Sequence, residues 1–183
     1  MARAPVTTRQ FESSHYVDIV GEPKRTTLLT GGLPFHRRVG GRMLDSLLLV
    51  RGERARKFRL GVGIDLTHPM HDALSLLAPP AVVRQQAPPP APASSWLLHL
   101  DAKSLVVTNW SPLVENGRTI GFRARVLETM GRPAQAKLSC CRPIVAARTF
   151  DFLDRPLDPL PVENGQVVLQ LAGHQWIEIE GRW

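Results

Sequence analysis

Apolar and polar residues alternate with a period of two along most of this chain. In KFRLGVGIDL, residues 57–66, every second side chain from Phe58 to Leu66 is apolar, and TIGFRARVLET, residues 119–129, repeats the pattern. Successive side chains of a β-strand point to opposite faces of the sheet. The alternation therefore predicts strands with one buried and one solvated face.

The same kind of pattern, or a short apolar run, marks further strands. They are predicted at residues 15–20, 25–30, 43–50, 96–100, 105–110, 134–140, 144–150 and 167–171, and in the last residues of the chain. Turn sequences separate them, including two Glu-Asn-Gly triplets that favour tight hairpins. The one helical candidate is HPMHDALSLLA, residues 68–78, which starts at a proline. We therefore expect an all-β fold, an antiparallel β-sandwich of about ten strands with one short helix.

A segment rich in Pro, Ala and Ser, residues 79–95, interrupts the β pattern. It has little to bury, which is typical of an extended loop or a linker. Because both flanks are β-type, it is predicted to be a loop inside one sandwich module at residues 11–183, although a domain linker stays open. Residues 1–10 are predicted to be a flexible tail.

Composition is ordinary for a soluble globular protein, with 43% apolar and 21% charged residues in a chain of 183. The start, MARAPVTTRQF, lacks the apolar core of a signal peptide, and the longest strongly apolar run, Leu47–Val50, is too short to cross a bilayer. We therefore expect a cytoplasmic protein with no membrane partner.

The net charge of +7 raises the question of nucleic acid binding. Only four of the 23 basic residues are lysine, and the densest cluster, RGERARKFRL at residues 51–60, alternates basic with apolar residues. That alternation favours a strand with an arginine-rich solvated face. No recognition-helix or RNA-binding signature accompanies it, so we expect no nucleic acid partner.

Catalytic chemistry has few candidates in this sequence. Hydrolysis of a glycoside normally needs two carboxyl groups on opposite sides of the bond that is cleaved. Asp151, Asp154 and Asp158 lie in a turn-rich stretch, where aspartate is a good turn former. The sequence also has no nucleophile elbow, Cys/His pair or phosphate-binding glycine loop. We therefore expect no catalytic residue in this chain and no activity from it alone.

Two histidines three residues apart, His68 and His71, are the best metal candidate, with Asp65 and Asp72 close in sequence. A catalytic zinc needs three protein ligands, and this spacing matches no specific zinc motif. Capping of the short helix is the favoured interpretation. We therefore predict that no metal and no cofactor bind to this chain.

The two cysteines, Cys140 and Cys141, are sequence neighbours. On a strand their side chains point to opposite faces, and a disulfide between neighbours is strained. They are predicted to be reduced thiols and not part of a zinc site.

TGGLPFHRRVGGRMLD, residues 30–45, is predicted to be a loop because of its glycine pairs and proline. Its His36, Arg37, Arg38 and Arg42 could supply hydrogen-bond donors to hydroxyls, to anions or to a neighbouring domain. An exposed corner without a ligand is the alternative interpretation.

Three tryptophans, Trp96, Trp110 and Trp176, are candidates for stacking on sugars, because an indole has an apolar face and a polar N–H group. Packing in the core or at its rim is the commoner role of tryptophan, and it stays open here.

An ordered series of short motifs covers the last third of the chain. The first motif is a strand with an arginine followed by E-x-x-G, and the second is an A-x-x-x-D-x-L turn. A leucine pair and a histidine in the final hairpin complete the series. In order, the residues are Arg125, Glu128 and Gly131; Ala147, Asp151 and Leu153; Leu157 and Leu160; and His174. The series resembles the closing segment of glycoside hydrolase family 38, the α-mannosidases. The chain departs from the family at Gln175 and Trp176, where the family favours Glu and Ile. Residues 32–50 and 59–70 resemble the preceding β segments of bacterial members.

The resemblance implies a C-terminal β-domain whose catalytic domain is missing. In the family, the zinc ligands and the nucleophilic aspartate belong to an N-terminal α/β barrel, and no segment of this chain resembles that barrel. The implied parent protein is a zinc-dependent, retaining α-mannosidase-like enzyme of carbohydrate metabolism, with zinc only in its catalytic domain. That catalytic domain is the implied partner, and carbohydrate is a second candidate. The alternative is a free-standing module that binds carbohydrate or protein and has no enzymatic role.

The last strand carries a register prediction. Ile177 and Ile179 should face the core, while Glu178 and Glu180 should lie on the outer surface, since alternation allows only that arrangement.

Overall fold

A computed structural model describes most of the chain: residues 7–21, 23–41, 43–78, 80–82, 84 and 96–183. The chain divides into two compact units, an N-terminal unit at Ala4–Arg84 and a C-terminal unit from Gln85 to Trp183. The boundary falls within the Pro-rich segment, most of which lies outside the described residues. The single module predicted for residues 11–183 stays a prediction. Of the predicted tail, residues 1–6 lie outside the described residues, and Gln10 already begins a strand.

The N-terminal unit has six strands and one helix. They are β1 (Gln10–Glu12), β2 (Tyr16–Val20), β3 (Arg25–Leu29), β4 (Phe35–Val39), β5 (Met43–Ser46), β6 (Gly61–Ile64) and α1 (Pro69–Leu77). The strands form two antiparallel three-stranded sheets, β1-β4-β5 and β2-β3-β6. The helix begins at Pro69, buries Met70 and Ala73, and packs on β2 and β3. It is too short to cross a membrane, and no other described helix could do so.

The C-terminal unit is a β-sandwich. Its strands are β7 (Leu98–Leu100), β8 (Leu105–Glu115), β9 (Arg118–Glu128), β10 (Ala134–Cys140), β11 (Ala146–Phe150), β12 (Pro156–Leu160), β13 (Val162–Glu163), β14 (Gln166–Leu171) and β15 (Trp176–Arg182). A four-stranded sheet, β13-β14-β10-β7, and a five-stranded sheet, β12-β11-β15-β9-β8, enclose one apolar core. Phe122, Leu138, Leu169 and Ile179 are among its fully buried members. The predicted antiparallel β architecture with one short helix is confirmed.

Tight hairpins join β8 to β9 and β13 to β14. Asn116 and Gly117 have φ of 49° and 74°, and Asn164 and Gly165 have φ of 50° and 76°. Left-handed backbone at both central positions is what Asn-Gly tolerates best, and it matches the twist of the flanking strands. Both predicted Asn-Gly hairpins are therefore confirmed.

The prediction for residues 57–66 is only partly correct. The strand covers Gly61–Ile64 alone, because its one neighbour, β3, offers pairing partners only from Leu29 back to Thr26. Val62 and Ile64, predicted to lie on a buried face, are exposed in the structure. The alternation of apolar and polar residues indicates which side chains would share a face of a strand. The strand itself forms only where a neighbouring strand provides hydrogen-bond partners.

Candidate functional site

A buried carboxylate lies where two turns of the C-terminal unit meet. Glu128, the last residue of β9, is fully buried, and its Oε2 accepts hydrogen bonds from the backbone N–H groups of Gly131 at 2.7 Å and His174 at 2.9 Å. Met130 donates to Oε1 at 2.8 Å, and Arg132 donates to Oε2 at 3.3 Å. Burial alone would raise the pKa of Glu128, but the four hydrogen bonds outweigh it and hold the pKa below its usual range.

This carboxylate brings together three residues of the motif series, Glu128, Gly131 and His174. A Cβ atom on Gly131 would lie 2.5 Å from Nε2 of His174, and the φ of Gly131 is 74°. Only glycine fits both requirements. The three residues therefore tie the β9–β10 turn to the β14–β15 turn.

A charged network covers the face of the five-stranded sheet that points away from the core. Glu180 Oε2 accepts a hydrogen bond from Nε of Arg123 at 3.2 Å, and its Oε1 accepts one from Nε of Arg182 at 2.8 Å. Arg123 also reaches Asp154, at 2.8 Å from Nη1 to Oδ1. Burial raises the pKa of Glu180, but the hydrogen bonds from Arg182 and Arg123 have the larger, opposite effect, so the pKa lies below its usual value.

Glu180 corrects the register prediction in one respect. Ile177 and Ile179 do face the core, and Glu178 and Glu180 do lie on the opposite face. Glu180, however, is only 4% exposed, because the long side chains of Arg123 and Arg182 cover it. A strand face that points away from the core is not always solvated.

Aromatic rings extend the same face. The guanidinium of Arg123 lies 4.3 Å from the ring centroid of Phe150, and that of Arg125 lies 4.8 Å from that of Trp176. Phe152 packs edge-on against Trp176 with centroids 4.5 Å apart. Trp176 therefore already contacts an arginine and an aromatic ring, which reduces the indole surface left for a sugar.

The three predicted sugar-stacking tryptophans do not line one groove. Trp110 lies opposite Ala124, on the core face of the sheet, and packs against the core, whereas Trp176 lies on the opposite face. Trp96 is exposed beside His99 in the segment that leads into β7, with ring centroids 5.9 Å apart. Their joint role in stacking finds no support in this arrangement.

The turn between β11 and β12 exposes large apolar side chains on a fixed backbone. Asp151 Oδ1 accepts hydrogen bonds from the backbone N–H groups of Leu153 at 2.8 Å and Arg155 at 2.9 Å, and these bonds help to lower its pKa, that from Arg155 most. Nε of Arg155 donates to Oδ2 at 2.7 Å. On this turn Phe152 is 80% exposed and Leu153 is 72% exposed. We call Phe152 and Leu153 the apolar turn.

In the N-terminal unit, residues predicted to form a ligand-contacting loop lie on a strand instead. His36, Arg37 and Arg38 belong to β4, which pairs with β1 on one side and β5 on the other, so the loop prediction is wrong for them. Arg42 lies outside the described residues. The glycines and the proline that suggested a loop flank β4 and do not interrupt it, so they do not prevent this strand from pairing.

The side chains of β4 divide between two roles. His36 is buried, with Nδ1 at 3.0 Å from Ser46 Oγ and Nε2 at 2.9 Å from the Ser13 carbonyl, so it holds strands together. Arg37 is exposed and pairs with Asp45 at 2.6 Å. Of these two side chains, only that of Arg37 is therefore exposed to solvent.

The HPMH segment shows no metal-binding geometry. His68 occupies the N-cap position of α1 but makes no capping hydrogen bond through its side chain, so capping by its imidazole is not observed. The rings of His68 and His71 are 6.4 Å apart, and Asp65 accepts a hydrogen bond from the backbone of Arg25. Among the residues that the structure describes, no three His, Cys, Asp or Glu side chains are grouped to hold a metal ion.

The neighbouring cysteines are free thiols, with Cys140 buried, Cys141 exposed and 3.9 Å between their Sγ atoms. Burial is the main cause that raises the pKa of Cys140. The prediction of reduced thiols is consistent with this separation, which is far longer than a disulfide bond.

Comparison with known proteins adds no relative: no family model matches this chain, and no curated protein matches it.

Proposed function

We propose that this chain is a non-catalytic C-terminal β-sandwich module of an α-mannosidase-like glycoside hydrolase. It packs on and supports a catalytic domain of the same parent protein, and that domain carries the zinc ion and the nucleophile. The apolar turn is the observation that carries this proposal.

Hydrophobic surface held rigidly in water is unfavourable by about 25 cal/mol per Å². A loop without a partner can bury such side chains by moving, but the hydrogen bonds of Asp151 restrain this turn. Exposed large apolar residues that the backbone holds in place are typical of a contact surface. The same Asp151 and Leu153 belong to the motif series that resembles the α-mannosidases.

The best anchored carboxylates of the C-terminal unit support a non-catalytic role. Glu128, Asp151 and Glu180 each accept several hydrogen bonds that shape turns or a sheet face. A catalytic acid needs a raised pKa and a position open to substrate. All three groups have lowered pKa values, so they suit structure and not proton donation.

The test begins with the reading frame upstream of Met1, where we expect an α/β barrel. That barrel domain and this chain, produced as two purified polypeptides, should associate, and hydrolysis of an aryl α-mannoside should need the barrel. Phe152→Ser with Leu153→Ser should weaken the association about tenfold or more. Val114→Ser is the matched control, since Val114 is an exposed apolar residue on β8. An upstream frame without a barrel, or turnover by this chain alone that an acid variant abolishes, contradicts the proposal.

The second candidate is a free-standing module that binds carbohydrate or protein and has no enzymatic role. A strand face in the N-terminal unit that combines the aromatic ring of Phe35 with the polar side chain of Arg37 favours its carbohydrate form.

A further inference from the structure

One face of the sheet β1-β4-β5 presents six side chains in two rows. Strand register aligns Gln10, Arg37 and Asp45 in the first row. Glu12 lies opposite Phe35, and Leu47 follows beside it, since its backbone N–H donates to the Phe35 carbonyl at 3.0 Å. Side chains two residues apart on a strand share a face, so both rows lie on the same side. We call this surface the β4 platform.

The β4 platform is exposed but well supported. Phe35, on the middle strand, is 44% exposed. Arg37 is fixed beside it by hydrogen bonds from Nε and Nη2 to Asp45 Oδ2, at 3.1 and 2.6 Å. On the reverse face, buried His36 bonds to Ser13 and Ser46 and so anchors the strand beneath the ring. The six platform residues, together with Phe11, His36 and Ser46, line an open cavity of about 700 Å³, which is within the usual range for small-ligand sites.

We propose that the β4 platform binds a carbohydrate, with one pyranose ring stacked on Phe35. A pyranose has an apolar C–H face bounded by hydroxyl groups, and an aromatic ring offers a matching flat, weakly negative face. Around Phe35, the Glu12 carboxylate accepts hydrogen bonds, the Arg37 guanidinium donates them, and the Gln10 amide does both. An apolar ring surrounded by polar side chains on the same sheet face suits a pyranose better than it suits a wholly apolar protein surface.

The charges of the β4 platform narrow the ligand class. Arg37 and Asp45 neutralise each other as an ion pair, which leaves the negative charge of Glu12. An acidic sugar would meet that carboxylate with like charge. The structure therefore assigns the platform to neutral oligosaccharides and not to acidic ones. This inference does not rest on the glycosidase-module proposal.

The full chain is the right material for the test, in an NMR titration with mannotriose, cellotriose, xylotriose and chitotriose, and with trigalacturonic acid as the acidic counterpart. We expect at least one neutral trisaccharide to shift backbone signals of Phe35, Arg37 and Glu12. Phe35→Ala should weaken its binding about tenfold or more, and Phe35→Tyr should keep it within about threefold, since the ring face remains. Val145→Ala, which shortens an exposed apolar side chain of the C-terminal unit, should leave binding unchanged.

If Phe35→Ala lowers stability too far to titrate, Phe35→Leu keeps the apolar volume without the ring and should show the same loss. The proposal is overturned if no neutral trisaccharide shifts any signal, if the shifts map away from the β4 platform, or if only the acidic sugar binds. Full binding by Phe35→Ala or Phe35→Leu, which both lack the ring, would overturn it as well. Such a failure is distinct from failure of the glycosidase proposal, because no catalytic domain enters this experiment.

Discussion

The carboxylate of Glu128 accepts a hydrogen bond from the backbone N–H of His174 at 2.9 Å, although 46 residues separate the two. The same oxygen also accepts the N–H of Gly131, so one side chain joins two distant turns. Glu128 is fully buried, and loss of its carboxylate would leave several backbone N–H donors without their partner. The stability of the sandwich should therefore depend on this one side chain.

Glu128→Gln should reduce the free energy of unfolding by about 2–4 kcal/mol, because an amide offers one acceptor oxygen to four backbone donors and places an NH₂ group against them. Urea denaturation followed by tryptophan fluorescence measures the change. Glu163→Gln is the control, since Glu163 makes an exposed ion pair with Lys137 and its loss should cost about 1 kcal/mol or less. Equal effects of the two substitutions would contradict the role given to Glu128.

The lowered pKa of Glu128 predicts how stability depends on pH. A carboxyl whose pKa is lower when folded contributes stability that is fully present above its unfolded pKa, about 4.3. That contribution is lost as pH falls through the folded pKa. Between pH 5 and the acid limit of folding, wild type should therefore lose more stability than Glu128→Gln. Urea midpoints across this range give the comparison, and parallel pH profiles would count against it.

Glu180→Gln should cost about 1–3 kcal/mol, more than is usual for a residue on a sheet face that points outward. The substitution leaves the guanidiniums of Arg123 and Arg182 facing a neutral amide in a partly buried setting. Glu178→Gln, on the same strand and face but more exposed, should cost about 1 kcal/mol or less. Thermal melts of both variants settle the order, and a reversed order would show that burial of Glu180 matters little.

Ile179→Asp should cost about 3–5 kcal/mol, since Ile179 is 1% exposed and a carboxylate there would have no partner in the core. Val114→Asp, at an exposed position of β8, should cost about 1 kcal/mol or less.

Deletion of the residues after Gly173 removes β15 and should leave an insoluble or molten product. A truncated protein that melts cooperatively at the full-length temperature would show that β15 is peripheral.

Local patterns predicted much of the C-terminal unit. The alternation in residues 119–129 and 177–180 correctly indicated which side chains face the core, because β9 and β15 pair with each other without a break in register. The Asn-Gly turns were predictable from their tolerance of positive φ.

Features that depend on distant partners could not be predicted. Burial of Glu180 requires Arg123, which comes from another strand 57 residues earlier. The face of Trp110 depends on a register shift between Val107 and Asn109, which turns the indole toward the core. The β4 platform requires Gln10, Phe35 and Asp45 to be aligned by pairing that no local pattern shows.

The position of β15 has a consequence for folding. It lies between β9 and β11. The edge of β9 that pairs with β15 therefore has no neighbouring strand until residues 176–182 have been synthesised. During synthesis, the ribosome adds the whole segment from residue 129 to residue 175 while that edge is open. An unpaired edge with an apolar face recruits other strands, including those of other nascent chains. The yield of folded protein should therefore be sensitive to crowding on the polysome and to the supply of chaperones.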